Sequence, residues 1–130
     1  ASQVARIMKG LAPPHVAVGN LDVCRDFLDV RDVARLYADL ATMEPGPPSA
    51  VFNVASGVAT PIRALLDGLI ARAGIPIAID VDPQRLRPDD VQFAVGDPRR
   101  AAQALGWRPR LSLDAMLDDV LNEWLARPLG

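Results

Sequence analysis

Two arginines, Arg25 and Arg87, and one carboxylate, Asp90, are the side chains of this sequence best suited to holding a ligand. A guanidinium on a rigid base can fork onto a phosphate or a carboxylate with two parallel, charge-assisted hydrogen bonds. Two guanidiniums on separate segments could grip a diphosphate from both sides. Asp90 follows Arg87 by three residues and could accept hydrogen bonds from ribose hydroxyls or a base N–H. Asn20, after Gly19, is the fourth candidate. Three of the four have a structural alternative: Arg25 could pair with Asp26 or Asp32 at the surface, Asp89-Asp90 could be a solvated acidic turn, and Asn20 is of a type common in turns.

The chemistry that is missing narrows the function further. No glycines are spaced as G-x-G-x-x-G, so the sequence carries no dinucleotide phosphate loop. The only tyrosine, Tyr37, falls on what reads as a buried helical face and is followed by no lysine, which rules out a tyrosine–lysine acid/base pair. His15, the only histidine, has no nucleophile suggested near it for a Ser-His-Asp set. One cysteine, Cys24, excludes an intrachain disulfide and offers no zinc spacing. No catalytic, cofactor-binding or metal-ligating residue is assigned, and the chain alone is expected to be inactive.

With 130 residues, half of them apolar and 23% charged, the chain has the size and composition of about one globular domain. A net charge of -2 with no basic block argues against a nucleic-acid or anionic-membrane partner. No apolar run reaches membrane-spanning length and no signal-peptide pattern is visible, so a cytoplasmic location is expected.

Several elements must position the four candidates. The spacing predicts a helix from Ser2 to Gly10, a strand over His15–Val18, an extended run from Arg25 to Leu28, and a helix from Val30 capped by Asp29. Val30, Val33, Ala34, Tyr37, Leu40 and Ala41 recur at helical spacing as its expected buried face. Glu44–Pro48 reads as a solvated loop, and residues 50–55 as a buried, parallel strand. Thr60-Pro61 reads as the cap and first turn of a helix ending at Gly74, followed by a strand over Ile77–Val81. Residues 82–90 read as irregular and Phe93–Val95 as a short strand. Asp97-Pro98 would open a helix stopped by Gly106, and Ser112 would cap a last helix with an apolar stripe. Helices alternating with short strands imply an α/β fold.

Further residues carry a resemblance: Val18-Gly-Asn-Leu-Asp22, Arg25-Asp-Phe with Asp29-Val-Arg-Asp-Val33, Phe52-Asn-Val with Ser56-Gly57, Leu86-Arg-Pro-Asp-Asp90, and the closing set Asp97, Arg100-Ala101, Leu105-Gly-Trp107 and Pro109. In this order they resemble the C-terminal part of the extended short-chain dehydrogenase/reductases of the NAD-dependent epimerase/dehydratase family. The nearest likeness is to GDP-mannose 4,6-dehydratase and GDP-4-dehydro-6-deoxy-mannose reductase. The resemblance implies that Arg25 and Arg87 hold the diphosphate of a sugar nucleotide and that Asp90 contacts the nucleoside, with Asn20 in the same site. A GDP-sugar is favoured, with UDP- or dTDP-sugar epimerases and dehydratases, or a non-catalytic nucleotide-binding or assembly module, as alternatives. It also implies NAD or NADP in a longer parent enzyme, with none bound by this chain alone. The expected fold is an incomplete extended one, in which residues 29–57 supply a helix and a strand to an absent Rossmann sheet. The chain starts at Ala1 without the glycine-rich loop and the tyrosine–lysine pair that the resemblance implies for the parent enzyme, so it is expected to be a truncated piece that forms non-native homo-oligomers.

Overall fold

Short-range signals set the helix ends. The computed structural model describes residues 1–44, 50–87 and 89–128. The loop expected over Glu44–Pro48 therefore lies, beyond Glu44, outside the described residues, as does Pro88. In chain order the elements are α1 (Ser2–Met8), β1 (His15–Val18), β2 (Cys24–Arg25), α2 (Val30–Ala41), β3 (Thr60–Pro61), α3 (Ile62–Ala73), β4 (Ala78–Val81), a 3-10 turn at Pro83–Arg85, β5 (Phe93–Ala94), α4 (Arg99–Leu105) and α5 (Leu113–Ala126). Asp29 caps α2 by accepting the Arg31 amide at 2.8 Å, and the Ser112 hydroxyl caps α5 by accepting the Ala115 amide at 3.2 Å. Gly74 and Gly106 end α3 and α4 in the left-handed conformation that costs glycine nothing.

β1 and β4 form a parallel pair in which His15 lies opposite Ala78 and Val18 opposite Val81. The outer edge of β1 is closed at Ala17, whose N–H and C=O bond the Gln3 side-chain amide, both at 3.0 Å. A second sheet has the order β3-β2-β5, with β2 antiparallel to β3 and parallel to β5. Two apolar clusters result. Val4, Ala5, Ile7, Val16, Leu69, Leu117 and Leu121 are buried where α1, α3 and α5 cover β1 and β4. Leu36, Ala101 and Trp107 are buried in the other, with Leu28, Leu40, Phe52, Val54 and Leu105 around them.

Three expectations are corrected. Residues 50–55 form no strand, having no ladder partner among the described residues. Phe52 and Val54 pack on the second cluster while Val51 is 82% exposed. Thr60 does not cap α3: it pairs with Arg25 in β3, and the N-cap position falls to Pro61, which makes no side-chain cap. On α2, Val30 and Tyr37 are exposed, and the most buried positions are Asp32 and Leu36. A carboxylate takes the core-facing slot because distant backbone amides satisfy it there (below).

Candidate functional site

The structure brings three of the four candidate residues together. β1 delivers Asn20 just past its end, β2 carries Arg25, and the segment before β5 carries Asp90. The Arg25 Nη2 donates to Asp90 Oδ1 at 2.8 Å, and the Asn20 Nδ2 donates to Asp90 Oδ2 at 3.3 Å. Arg25 Nη1 also donates to the carbonyls of Cys24 at 2.9 Å and Val91 at 2.6 Å. Asn20 Oδ1 in turn accepts the Asp22 amide at 3.0 Å, so its turn role and its place in the cluster coexist. Arg87 does not join them; it is exposed and makes no hydrogen bond or ion pair with a described residue.

This arrangement replaces the surface alternatives for Arg25. Its partner is neither Asp26 nor Asp32, because both are committed elsewhere. Asp26 accepts the Ser56 amide at 2.8 Å, the Ser56 hydroxyl at 2.7 Å, the Gly57 amide at 2.9 Å and the Gly96 amide at 3.2 Å. Burial pushes this carboxyl up, but the bonds from Ser56, Gly57 and Gly96 outweigh it and hold it below the usual carboxylate range. Asp32, with no exposed surface, accepts the Arg110 and Leu111 amides at 2.9 and 3.1 Å and the Arg35 guanidinium at 2.5 Å. Burial raises it too, and the two amides and Arg35 bring it net down. These knots, missed in the sequence because their partners are remote, tie β2 to the segments around residues 56 and 96, and α2 to residues 110–111.

The cluster's remaining capacity defines what it can do. Arg25 uses three of its five N–H donors, and each Asp90 oxygen has a lone pair to spare. A phosphate oxygen can take the outward face of Arg25, and a hydroxyl or ring N–H can donate to Asp90. Arg87 adds an uncommitted fork three residues away in sequence. Gly74 and Gly106 cap helix C-termini and Gly10 follows α1, while Gly57 ahead of α3 and Gly96 ahead of α4 stand singly, without the close glycine spacing of a dinucleotide phosphate loop. Lys9, the single lysine, donates to the Arg127 carbonyl at 2.9 Å, while Tyr37 stands on α2. No group of three metal-ligating side chains converges, and no helix is long and apolar enough to cross a membrane, among the described residues.

The fold is the mixed α/β fold of part of an extended short-chain dehydrogenase/reductase. Residues 1–120 match the family model described as GDP-mannose 4,6 dehydratase, and the chain belongs to that family. It is 36% identical over 127 residues to GDP-6-deoxy-D-mannose reductase from Pseudomonas aeruginosa, covering 98% of this chain and 41% of the relative. The structure of RMD from Pseudomonas aeruginosa complexed with NADPH is 35% identical with a TM-score of 0.86, over 97% of this chain and 41% of that one. UDP-glucose 4-epimerase from Bifidobacterium longum, in complex with NAD+ and UDP, is 25% identical with a TM-score of 0.77, over 99% of this chain and 40% of that one. The chain thus spans about 41% of the length of the reductase it matches.

Proposed function

We propose that this chain binds the nucleoside diphosphate end of a sugar nucleotide, a GDP-sugar first, for an NAD(P)-dependent dehydratase or reductase. In that reading the cofactor loop and the acid/base residues belong to enzyme that these 130 residues do not span. The observation that carries it is the Asn20–Arg25–Asp90 cluster, with donors and acceptors left over at its outer side. Arg25 and the exposed Arg87 take the diphosphate, and Asp90, held by Arg25 and Asn20, accepts from the nucleoside. The reductase relative supports GDP as the base-bearing group. A second reading, a UDP-sugar epimerase portion, is supported by the likeness to an epimerase solved with UDP. The two clusters of the fold, one of them built on α2 and residues 52–54, support residues 29–57 as the part that packs against a Rossmann domain.

Calorimetric titration with GDP, UDP and dTDP tests this directly. GDP should bind best, and Arg87→Ala should lose roughly 1.5–3 kcal/mol of affinity, the size of a hydrogen bond to a charged group, without loss of stability. Equal binding by the variant would remove Arg87 from the site, and preference for UDP would overturn the GDP assignment. With NAD(P) and a nucleotide sugar supplied, the purified chain should show no turnover; measurable turnover would sink the division of labour proposed here.

A further inference from the structure

A second cavity, sharing no residue with the Asn20–Arg25–Asp90 cluster, lies between α2, the end of α4 and the segment leading to α5. It has a volume of about 390 Å³, in the range of small-molecule sites, and is lined by Arg35, Arg108 and Arg110 together with Leu36, Met43 and Trp107. Asp32 assembles the three arginines. Its carboxylate holds the Arg35 guanidinium and the Arg110 amide, and Arg35 Nη2 donates to the Arg108 carbonyl at 3.0 Å. Arg35 is therefore matched by a buried carboxylate. The Arg108 and Arg110 guanidiniums make no hydrogen bond or ion pair with any described residue. Asp39 also lines the cavity and offsets one of them, which leaves a net positive charge and two unengaged forks in a cavity that also has apolar lining.

We infer that this cavity binds a small organic anion, a phosphate or carboxylate group carried on an apolar body. The charged group engages Arg108 and Arg110, whose planar donor sets match either oxyanion. The apolar body lies against Leu36, Met43 and Trp107, where it displaces water from surface that the fold already shields. Phenyl phosphate and benzoate are suitable probes, one for each anion. Titrations followed by calorimetry, and by the indole N–H resonances of Trp107 and Trp124, would read both affinity and place. Saturable binding of at least one probe is expected, with the Trp107 resonance moving and Trp124 unmoved. Arg108→Ala and Arg110→Ala should each weaken binding roughly tenfold to a hundredfold, as expected for loss of a charge-assisted hydrogen bond. Arg87→Ala should leave it unchanged, which separates this cavity from the nucleotide reading above. Both lining arginines are exposed, so their variants should fold normally. No saturable binding of either probe, or unchanged binding in both variants, would overturn the proposal.

Discussion

Removing one carboxylate, Asp32, should do more damage than any surface charge change in this chain. It is fully buried, and three donors converge on it. Asp32→Ala strands the Arg110 and Leu111 amides and an arginine that is 24% exposed, a loss expected to cost roughly 3–5 kcal/mol. Domains of this size hold about 5–15 kcal/mol in all, so chemical denaturation should show a large drop or no folded baseline. A midpoint within experimental error of the parent would refute the knot. Asp26, Asp29 and Asp32 all have lowered pKa values in the fold. Their contribution is complete above the unfolded carboxylate value of about 3.9, and it fades as pH falls through the lower folded values. The melting temperature should therefore be flat near neutrality and fall below about pH 4. Asp32→Asn should make that acid limb shallower, and an unchanged limb would assign the acid sensitivity to other groups.

At the scale of elements, two close approaches decide where the candidate site stands. A side chain at position 19 would put a Cβ 2.7 Å from the Arg85 carbonyl oxygen, so β1 leaves its sheet directly against the 3-10 turn at Pro83–Arg85. A Cβ at position 96 would lie 2.4 Å from that of Ala55, where Asp26 gathers both segments. Backbone and Cβ atoms cannot swing aside as a long side chain can, and overpacking of this kind costs about 1–3 kcal/mol. Gly19→Ala and Gly96→Ala should both be destabilised by that amount in thermal melts. Only Gly19→Ala should also weaken nucleotide binding beyond the stability loss, because it displaces Asn20 relative to Arg87 and Asp90. Equal nucleotide affinity in the two variants would show that the junction of β1 and the turn does not set the site.

For the whole molecule, the three most exposed large apolar side chains among the described residues lie on α2 and in the segment that follows it. Val30 and Tyr37 on α2 are 75% and 67% exposed, and Val51 beyond it is 82% exposed. Covering such surface is worth about 25 cal/mol per Å². The 130-residue chain by itself is expected to associate with a second copy through this face rather than through the Arg25–Asp90 cluster. Sedimentation at several concentrations should show a dimer or larger species, and Val30→Asp with Tyr37→Asp should return it to monomer. A parent chain that stays monomeric throughout and melts cooperatively would refute this.

Reading the sequence alone was enough where cause and effect lie within one turn and no remote segment competes, as Arg25 competes for Thr60. Asp29 and Ser112 cap helices because a side-chain oxygen reaches an amide two or three residues on. Gly74 and Gly106 stop helices for an equally local reason, and the stripe of α5 buries Leu117 and Leu121 as its spacing requires. The resemblance to the family rests on residues in this same linear order. The tertiary structure decided what depends on partners far along the chain. α2 turns Asp32 inward, leaving Tyr37 outside, because amides 78 and 79 residues later receive that carboxylate. Residues 50–55 have strand composition but no strand beside them among the described residues, and composition cannot provide a ladder partner. Arg25 bypasses its neighbour Asp26 for Asp90, 65 residues away, because Asp26 is already saturated by Ser56, Gly57 and Gly96. Those choices depend on which groups meet in space once the chain has folded, and the linear spacing of residues does not encode that.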